Sequence, residues 1–225
     1  MNVVIYYSAT DECKRIATYF AERLNYEIVD IVGAGCEYDR AALVFPVHCQ
    51  NIPQAVIHFL KRLTVGELTV IAVYGKMCHG NVLYEIQRKF CHNIIAAAYV
   101  PAKHAYIDEP RFSDFGRLDP VIDKATKQGT VIIPKSYKNP FANVFKGLRS
   151  RMGVKIIKNN GCDNCGMCQC NCPRNAIVNG KTKRNCIRCL RCVASCPKKA
   201  LTFKTTLAMS AYLKKKKQDE LIIYI

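Results

Sequence analysis

Eight cysteines in the last third of the chain fall into two runs of the same spacing. Cys162, Cys165, Cys168 and Cys172 are separated by two, two and three residues, with Pro173 next. Cys186, Cys189, Cys192 and Cys196 repeat the pattern 24 residues later, with Pro197 next. The thiolate is the form of cysteine that binds metal. Four thiolates in tetrahedral directions satisfy a compact cube of iron and sulfide. Three cysteines two residues apart can wrap one tight loop around such a core, and the fourth must come from another loop. Structural zinc prefers two separated CxxC pairs per ion, without a third cysteine two residues on. A disulfide scaffold requires an oxidising compartment, and no residue here points to one. The spacing therefore predicts iron–sulfur chemistry, which moves electrons one at a time.

The two runs resemble the signature of bacterial two-cluster ferredoxins. A helical turn from Cys168 carries the chain to Cys172, where Pro173 stops it. In this family the fourth cysteine of each run ligates the other cluster. The resemblance implies one [4Fe–4S] cluster on Cys162, Cys165, Cys168 and Cys196, and a second on Cys186, Cys189, Cys192 and Cys172. The repeat implies two half-domains sharing one small core, with short strands at residues 176–178 and 200–203 flanking it. Cys170 is two residues from both Cys168 and Cys172, so a helical turn points it away from them. It reads as a buried or half-buried spare thiol. Cys13, Cys36, Cys49, Cys78 and Cys91 have no spacing pattern and read as reduced structural thiols.

Half of the 225 residues are hydrophobic, enough for one ordinary domain plus a small one. The N-terminus has no basic stretch and only a short apolar run, so no secretory leader is expected. No segment has the length of a membrane span. The expected location is the cytoplasm. There are 34 basic and 17 acidic side chains, a net charge of +17. With about −2 for each oxidised cluster and its thiolates, the loaded protein is nearer +13. Such a field steers the chain toward an acidic redox partner protein. Nucleic acid is not expected, because neither aromatic interleaving nor a known module accompanies the charge. Lys214–Lys217 is a charge run expected on the solvent side of a helix beginning near Leu207.

The residues before the cysteines alternate between strand and helix patterns. Strands are expected at 2–7, 26–31, 41–47, 68–74 and 93–100. Helices are expected at 11–24, 53–63, 81–91 and 117–128. The first helix has Ile16, Tyr19, Phe20 and Leu24 at helical spacing, and the second has Val56, Phe59, Leu60 and Leu63. This alternation predicts an α/β fold with a parallel doubly wound sheet. Ligands of such sheets bind beyond the carboxyl ends of the strands, here residues 8–13, 46–52 and 75–80. Phe141, Val144, Phe145 and Leu148 predict a short amphipathic helix in the following segment. The expected organisation is a sheet domain at 1–133, a connector at 134–160, a cluster domain at 161–206 of α+β type, and a basic helix and tail at 207–225.

Ser8-Ala9-Thr10-Asp11-Glu12-Cys13 follows a strand and opens a helix, where flavodoxins carry their phosphate loop. Phe45-Pro46-Val47 with Pro53, and Tyr74-Gly75-Lys76-Met77 with Gly80, resemble the loops after the third and fourth flavodoxin strands. The whole chain resembles the flavodoxin–ferredoxin fusion proteins of anaerobic bacteria. The resemblance implies a five-stranded sheet of order 2-1-3-4-5. It also implies FMN held by Ser8, Ala9, Thr10, Asp11, Glu12, Cys13, Pro46, Val47, His48, Tyr74, Gly75 and Lys76. The chain departs from the family at Asp11, Glu12 and Cys13, where glycine, asparagine and a hydroxyl residue are usual. Two carboxylates then face the phosphate position, and the turn loses glycine's freedom. Carboxylates in a helix's first turn also stabilise it without any ligand. His48 and His79 fall on the same edge and are candidate proton donors. Three functions follow: an electron carrier with two clusters that exchanges electrons with FMN, a flavin-dependent reductase fed by its clusters, or a redox-sensing docking module without flavin.

Overall fold

A computed structural model describes residues 1–143, 148–215 and 218–225. The chain forms two compact units: Met1–Ala142 with Lys217–Ile225, and Asn143–Lys216. The segment expected as a connector divides between them at residue 142, and the C-terminal tail returns to the first unit.

The first unit is the α/β part. Its elements run β1 (Asn2–Tyr6), α1 (Glu12–Leu24), β2 (Glu27–Asp30), β3 (Glu37–Pro46), α2 (Gln54–Leu60), β4 (Thr64–Tyr74), α3 (Val82–Lys89), β5 (Ile94–Pro101) and α4 (Asp119–Ala125). The β1–β2, β1–β3, β3–β4 and β4–β5 pairs are all parallel. Within the sheet β1 lies between β2 and β3, and β3, β4 and β5 follow in turn. This is the doubly wound order of flavodoxin-type sheets.

Alternate residues of each strand face opposite sides, so an apolar run can be buried on both. Val3, Ile5, Leu43, Phe45, Val70 and Tyr74 share one core with Val56, Phe59 and Leu60 of α2 and Leu83 and Ile86 of α3. Val4, Ala42, Val44, Ile71, Val73 and Ala98 share the other with Ile16 and Phe20 of α1 and Val121 and Ile122 of α4. Each fully buried Leu, Ile or Phe contributes about 1.5–3 kcal/mol, so the sheet unit has ample driving force of its own.

Among the described residues the sheet has six strands, not the five expected. Residues 222–224 form a further strand, antiparallel to β5 with Ile223 opposite Ala98. The run Leu221-Ile-Ile-Tyr-Ile is too short and too near the terminus to signal a strand by itself. It pairs because the outer edge of β5 offers unpaired backbone groups and apolar flanks. The last predicted helix begins as a 3₁₀ turn, Phe115–Leu118, before α4.

The second unit contains α5 (Leu148–Gly153), β6 (Val154–Lys158), α6 (Met167–Cys170), β7 (Ile177–Val178), β8 (Lys181–Thr182), α7 (Arg191–Ala194), β9 (Leu201–Thr205) and α8 (Leu207–Leu213). The final strand of the chain is β10 (Ile222–Tyr224). Antiparallel β6–β9 and β7–β8 ribbons frame the unit. The expected strands at 176–178 and 200–203 thus exist, each paired with a strand that the repeat pattern did not reveal. Thr206 caps α8 by accepting the Met209 N–H. That helix ends at Leu213, so Lys214 and Lys215 follow it instead of lining one face. Of the amphipathic segment expected around 141–148, Phe141 sits in a 3₁₀ turn, and Val144 and Phe145 lie outside the described residues. Among the described residues, no helix is long and apolar enough to cross a membrane.

Candidate metal centres

The backbone of the second unit repeats itself as faithfully as the cysteines do. Asn164 and Arg188 both have positive φ, at 58° and 56°. Gly166 and Leu190 follow at 78° and 62°, and Asn175 and Lys199 at 48° and 49°. Each pair is offset by 24 residues. A bulky residue such as Leu190 in the left-handed region costs of order 1–3 kcal/mol and persists only where the surroundings impose it. Such turns point successive N–H groups inward and form concavities that take anions and iron–sulfur groups.

The short helices α6 and α7 each begin immediately after the second left-handed residue of a loop. They place the third cysteine of each run on the first helical turn. The chain then turns back so that Cys172 Sγ accepts the Ala176 N–H at 3.2 Å, and Cys196 Sγ accepts the Ala200 N–H at 3.3 Å. These bonds occupy matching positions in the two copies.

Two cavities result. One encloses about 320 Å³, open solvent included, and Cys172, Cys186, Cys189 and Cys192 line it. The other encloses about 390 Å³ on the same measure and is lined by Cys162, Cys165, Cys168 and Cys196. In each, three cysteines come from one run and the fourth from the other run. Burial, then the neighbouring sulfurs, pushes the Cys192 thiol up to about 12. Burial raises Cys189 as well.

Among the described residues, no group of three or more His, Cys, Asp or Glu side chains is close enough to hold a single metal ion. Cys170 is exposed and lines neither cavity. It is a surface thiol, not the buried spare expected from its spacing.

The apolar support is thin. Among the described residues of this unit, Ile177, Cys192 and Leu201 form a small buried cluster, with Ile156, Val193 and three further cysteines packed against it in part, and Val154, Ala176, Leu190, Ala200 and Leu213 are buried as well. A unit with so small a core usually depends on a metal or cross-link for its fold.

Charge is divided unequally. Residues 143–216 contain 17 Lys and Arg against Asp163 alone, a net +16, while the other residues contain 17 against 16. Nearly the whole field of the protein thus belongs to the cysteine-rich unit, which net composition alone concealed.

The residues implied in flavin binding lie at the carboxyl ends of β1, β3 and β4. Ala9, Thr10 and Asp11 form the bend after β1, and Asp11 is the N-cap of α1 at φ 64°. Glu12 points inward: its side chain is 8% exposed, with Arg111 Nε at 3.0 Å and Arg15 Nη1 at 3.4 Å. Burial lifts its carboxyl above the usual value, and the arginines oppose that. Cys13 is buried. A phosphate dianion does not fit a loop whose arginines already hold a buried carboxylate.

The other two loops are occupied by contacts within the same unit. Val47 N–H, just after Pro46, donates to Val73 O at 2.7 Å, and His48 pairs with Asn51 through the backbone. The Tyr74 hydroxyl donates to Glu220 O at 2.7 Å, and Lys76 Nζ lies 2.9 Å from Asp219. Gln218 N–H donates to Lys76 O at 2.6 Å. A Cβ on Gly75 would stand 2.7 Å from His104 Cδ2, so glycine permits this approach of the β4 and β5 loops. His79 stacks on Tyr99 at 3.9 Å and its Nδ1–H donates to Gly80 O at 2.7 Å. Burial lowers its pKa, which keeps the ring neutral. Sequence reasoning placed these loops on one edge but missed Arg111, Asp219 and Glu220, which reach it from distant segments.

No protein-family model matches this chain, and no curated protein matches it. Among solved structures, a flavodoxin of Streptococcus pneumoniae is similar at 12% identity and a TM-score of 0.40, over 56% of this chain and 97% of that one. The Trp repressor binding protein of Bacillus subtilis is similar at 14% identity and a TM-score of 0.34, over 56% of this chain and 96% of that one.

Proposed function

We propose that this chain is a one-electron carrier whose second unit holds two [4Fe–4S] clusters. The observation that carries this reading is the pair of cavities, each lined by three cysteines of one run and the fourth of the other. The donor set fits the group: soft thiolates, left-handed turns that aim N–H groups inward, and N–H bonds to Cys172 and Cys196. When bound, a [4Fe–4S] cluster takes up or releases one electron.

The residues of the chain do the rest. Cys162, Cys165, Cys168 and Cys196 would hold the first group, and Cys186, Cys189, Cys192 and Cys172 the second. Crossing the ligands would tie the two loops together and reinforce the small apolar core. The Ala176 and Ala200 N–H groups withdraw charge from the sulfurs they touch and favour the reduced state. The net +16 of this unit attracts an acidic redox partner protein to the unit that stores the electron.

No step is assigned to FMN, because Glu12 and its arginines occupy the phosphate loop. The sheet unit then serves as scaffold and docking body. The flavodoxin-type strand order is the observation favouring a flavin there, and release of flavin from acid-treated protein would restore that reading.

The deciding experiment is iron and acid-labile sulfide analysis of anaerobically purified full-length protein, with electron paramagnetic resonance after dithionite reduction. The expected result is about eight iron and eight sulfide per chain and a signal from reduced clusters. Zinc in place of iron, or iron without sulfide, would overturn the proposal.

A further inference from the structure

The β6–β9 ribbon is a wall shared by both cavities. Its register sets Val154 opposite Thr205, Ile156 opposite Phe203 and Lys158 opposite Leu201. Residues directly opposite each other share a face, and successive residues alternate between faces. On this inner face Ile156 lines the cavity of Cys172, Cys186, Cys189 and Cys192. Leu201 lines the cavity of Cys162, Cys165, Cys168 and Cys196.

The outer face sets Lys155 opposite Lys204 and Ile157 opposite Thr202. Lys155, Thr202 and Lys204 are exposed, and Ile157 is half-buried. Like charges directly across a strand pair are destabilising. Among the described residues neither lysine has an ion-pair partner, so no carboxylate there offsets the repulsion.

Exposed apolar side chains stand at the same end of the ribbon. The Thr206 N–H donates to Gly153 O at 2.9 Å, one step beyond the Val154–Thr205 pair. Met152 and Leu207 flank that bond and are 69% and 91% exposed. Such a surface offers charge to steer an encounter and apolar area to hold it. A second copy of the chain is a poor occupant, because its own lysines would meet these. Position favours a redox protein over a lipid or nucleic-acid surface. A body seated on the outer face is separated from both cavities by one β-layer, a spacing of about 10 Å.

We infer that the outer face of the β6–β9 ribbon, with Lys155 and Lys204 as its cations, is the docking surface for an acidic one-electron partner protein. This rests on the reading that both cavities hold [4Fe–4S] clusters. In the transfer one electron leaves this unit and the partner's oxidised centre gains it. No bond forms or breaks, and no proton is required.

The test uses full-length protein whose iron and sulfide have been assayed, with a soluble b-type cytochrome of net negative charge as the acceptor. Absence of sulfide would defeat the electron-carrier reading itself. Docking is read separately by carbodiimide cross-linking, which joins carboxylates of the cytochrome to the lysines they touch. Cross-links are expected at Lys155 and Lys204. The double variant Lys155→Gln with Lys204→Gln should slow cytochrome reduction about fivefold or more at low ionic strength, by stopped-flow absorbance. Lys181→Gln with Lys183→Gln removes the same charge from exposed positions of the same unit and should slow it by less than about twofold. Equal slowing by the two pairs would mean that net charge alone steers the encounter, and would overturn the inference. So would cross-links confined to other lysines. So would binding to phosphatidylserine vesicles that the Lys155/Lys204 variant loses while its electron transfer is unchanged.

Discussion

Replacing Glu12 by glutamine should make the sheet unit more stable at neutral pH. The carboxylate is the first side chain of α1 and is nearly enclosed, while Arg111 and Arg15 beside it are 53% and 32% exposed. Surface arginines lose little when a partner leaves, about 0–1 kcal/mol. Desolvation of the carboxylate costs several kcal/mol before pairing, and buried ion pairs commonly break even or worse. Glutamine keeps the shape and one acceptor oxygen but carries no charge to desolvate. The expected net gain is about 1 kcal/mol at pH 7.

The pH dependence follows from the direction of the shift. Glu12 has a raised pKa in the folded protein, chiefly through burial, so folding favours the protonated form. The wild type is then at its best below the ordinary carboxylate value of 4.5 and loses stability as pH rises through the higher folded value. The advantage of Glu12→Gln should therefore be absent below about pH 4.5 and full at pH 7. Urea unfolding can be followed by tyrosine fluorescence. Eleven of the twelve tyrosines belong to Met1–Ala142 and Lys217–Ile225, and there is no tryptophan, so the signal reports the sheet unit. A variant less stable than wild type at pH 7, or a gain that persists unchanged at pH 4, would refute the reasoning.

Other outcomes are expected from the same structure. Acid treatment of purified protein should release no flavin into the supernatant, as read by its absorption and fluorescence. Cys172→Ser should remove about half of the iron, whereas Cys170→Ser should leave iron and sulfide unchanged by chemical analysis. Stripping the iron with acid and chelator should abolish the protected amides of residues 154–205 in hydrogen exchange. The same treatment should leave those of β1, β3, β4 and β5 protected, because only the sheet unit has cores on two faces. Electron transfer to an acidic carrier protein should slow steeply between low and physiological ionic strength, measured by stopped-flow absorbance, since the +16 unit steers the encounter.

How far the sequence could be read depends on how local each signal is. The cysteine runs carry residue type and spacing within a few residues, so the proposed quartets could be drawn before any fold was known. The parallel sheet was legible too, because strands buried on both faces read as apolar runs separated by amphipathic helices. Glu12 was visible as an acid in a phosphate-type loop. Its burial was not, because Arg111 lies 99 residues away and nothing in its own segment marks it as a partner.

By itself, then, the sequence determined the two cysteine runs, the internal repeat and the alternation of strand and helix. Those properties depend on neighbours along the chain. Tertiary structure alone decided that the tail adds a sixth strand at β5 and that Tyr74 and Lys76 are bound by Glu220 and Asp219. These are contacts between segments far apart in the chain, and folding selects them by burial and charge, which no local pattern encodes.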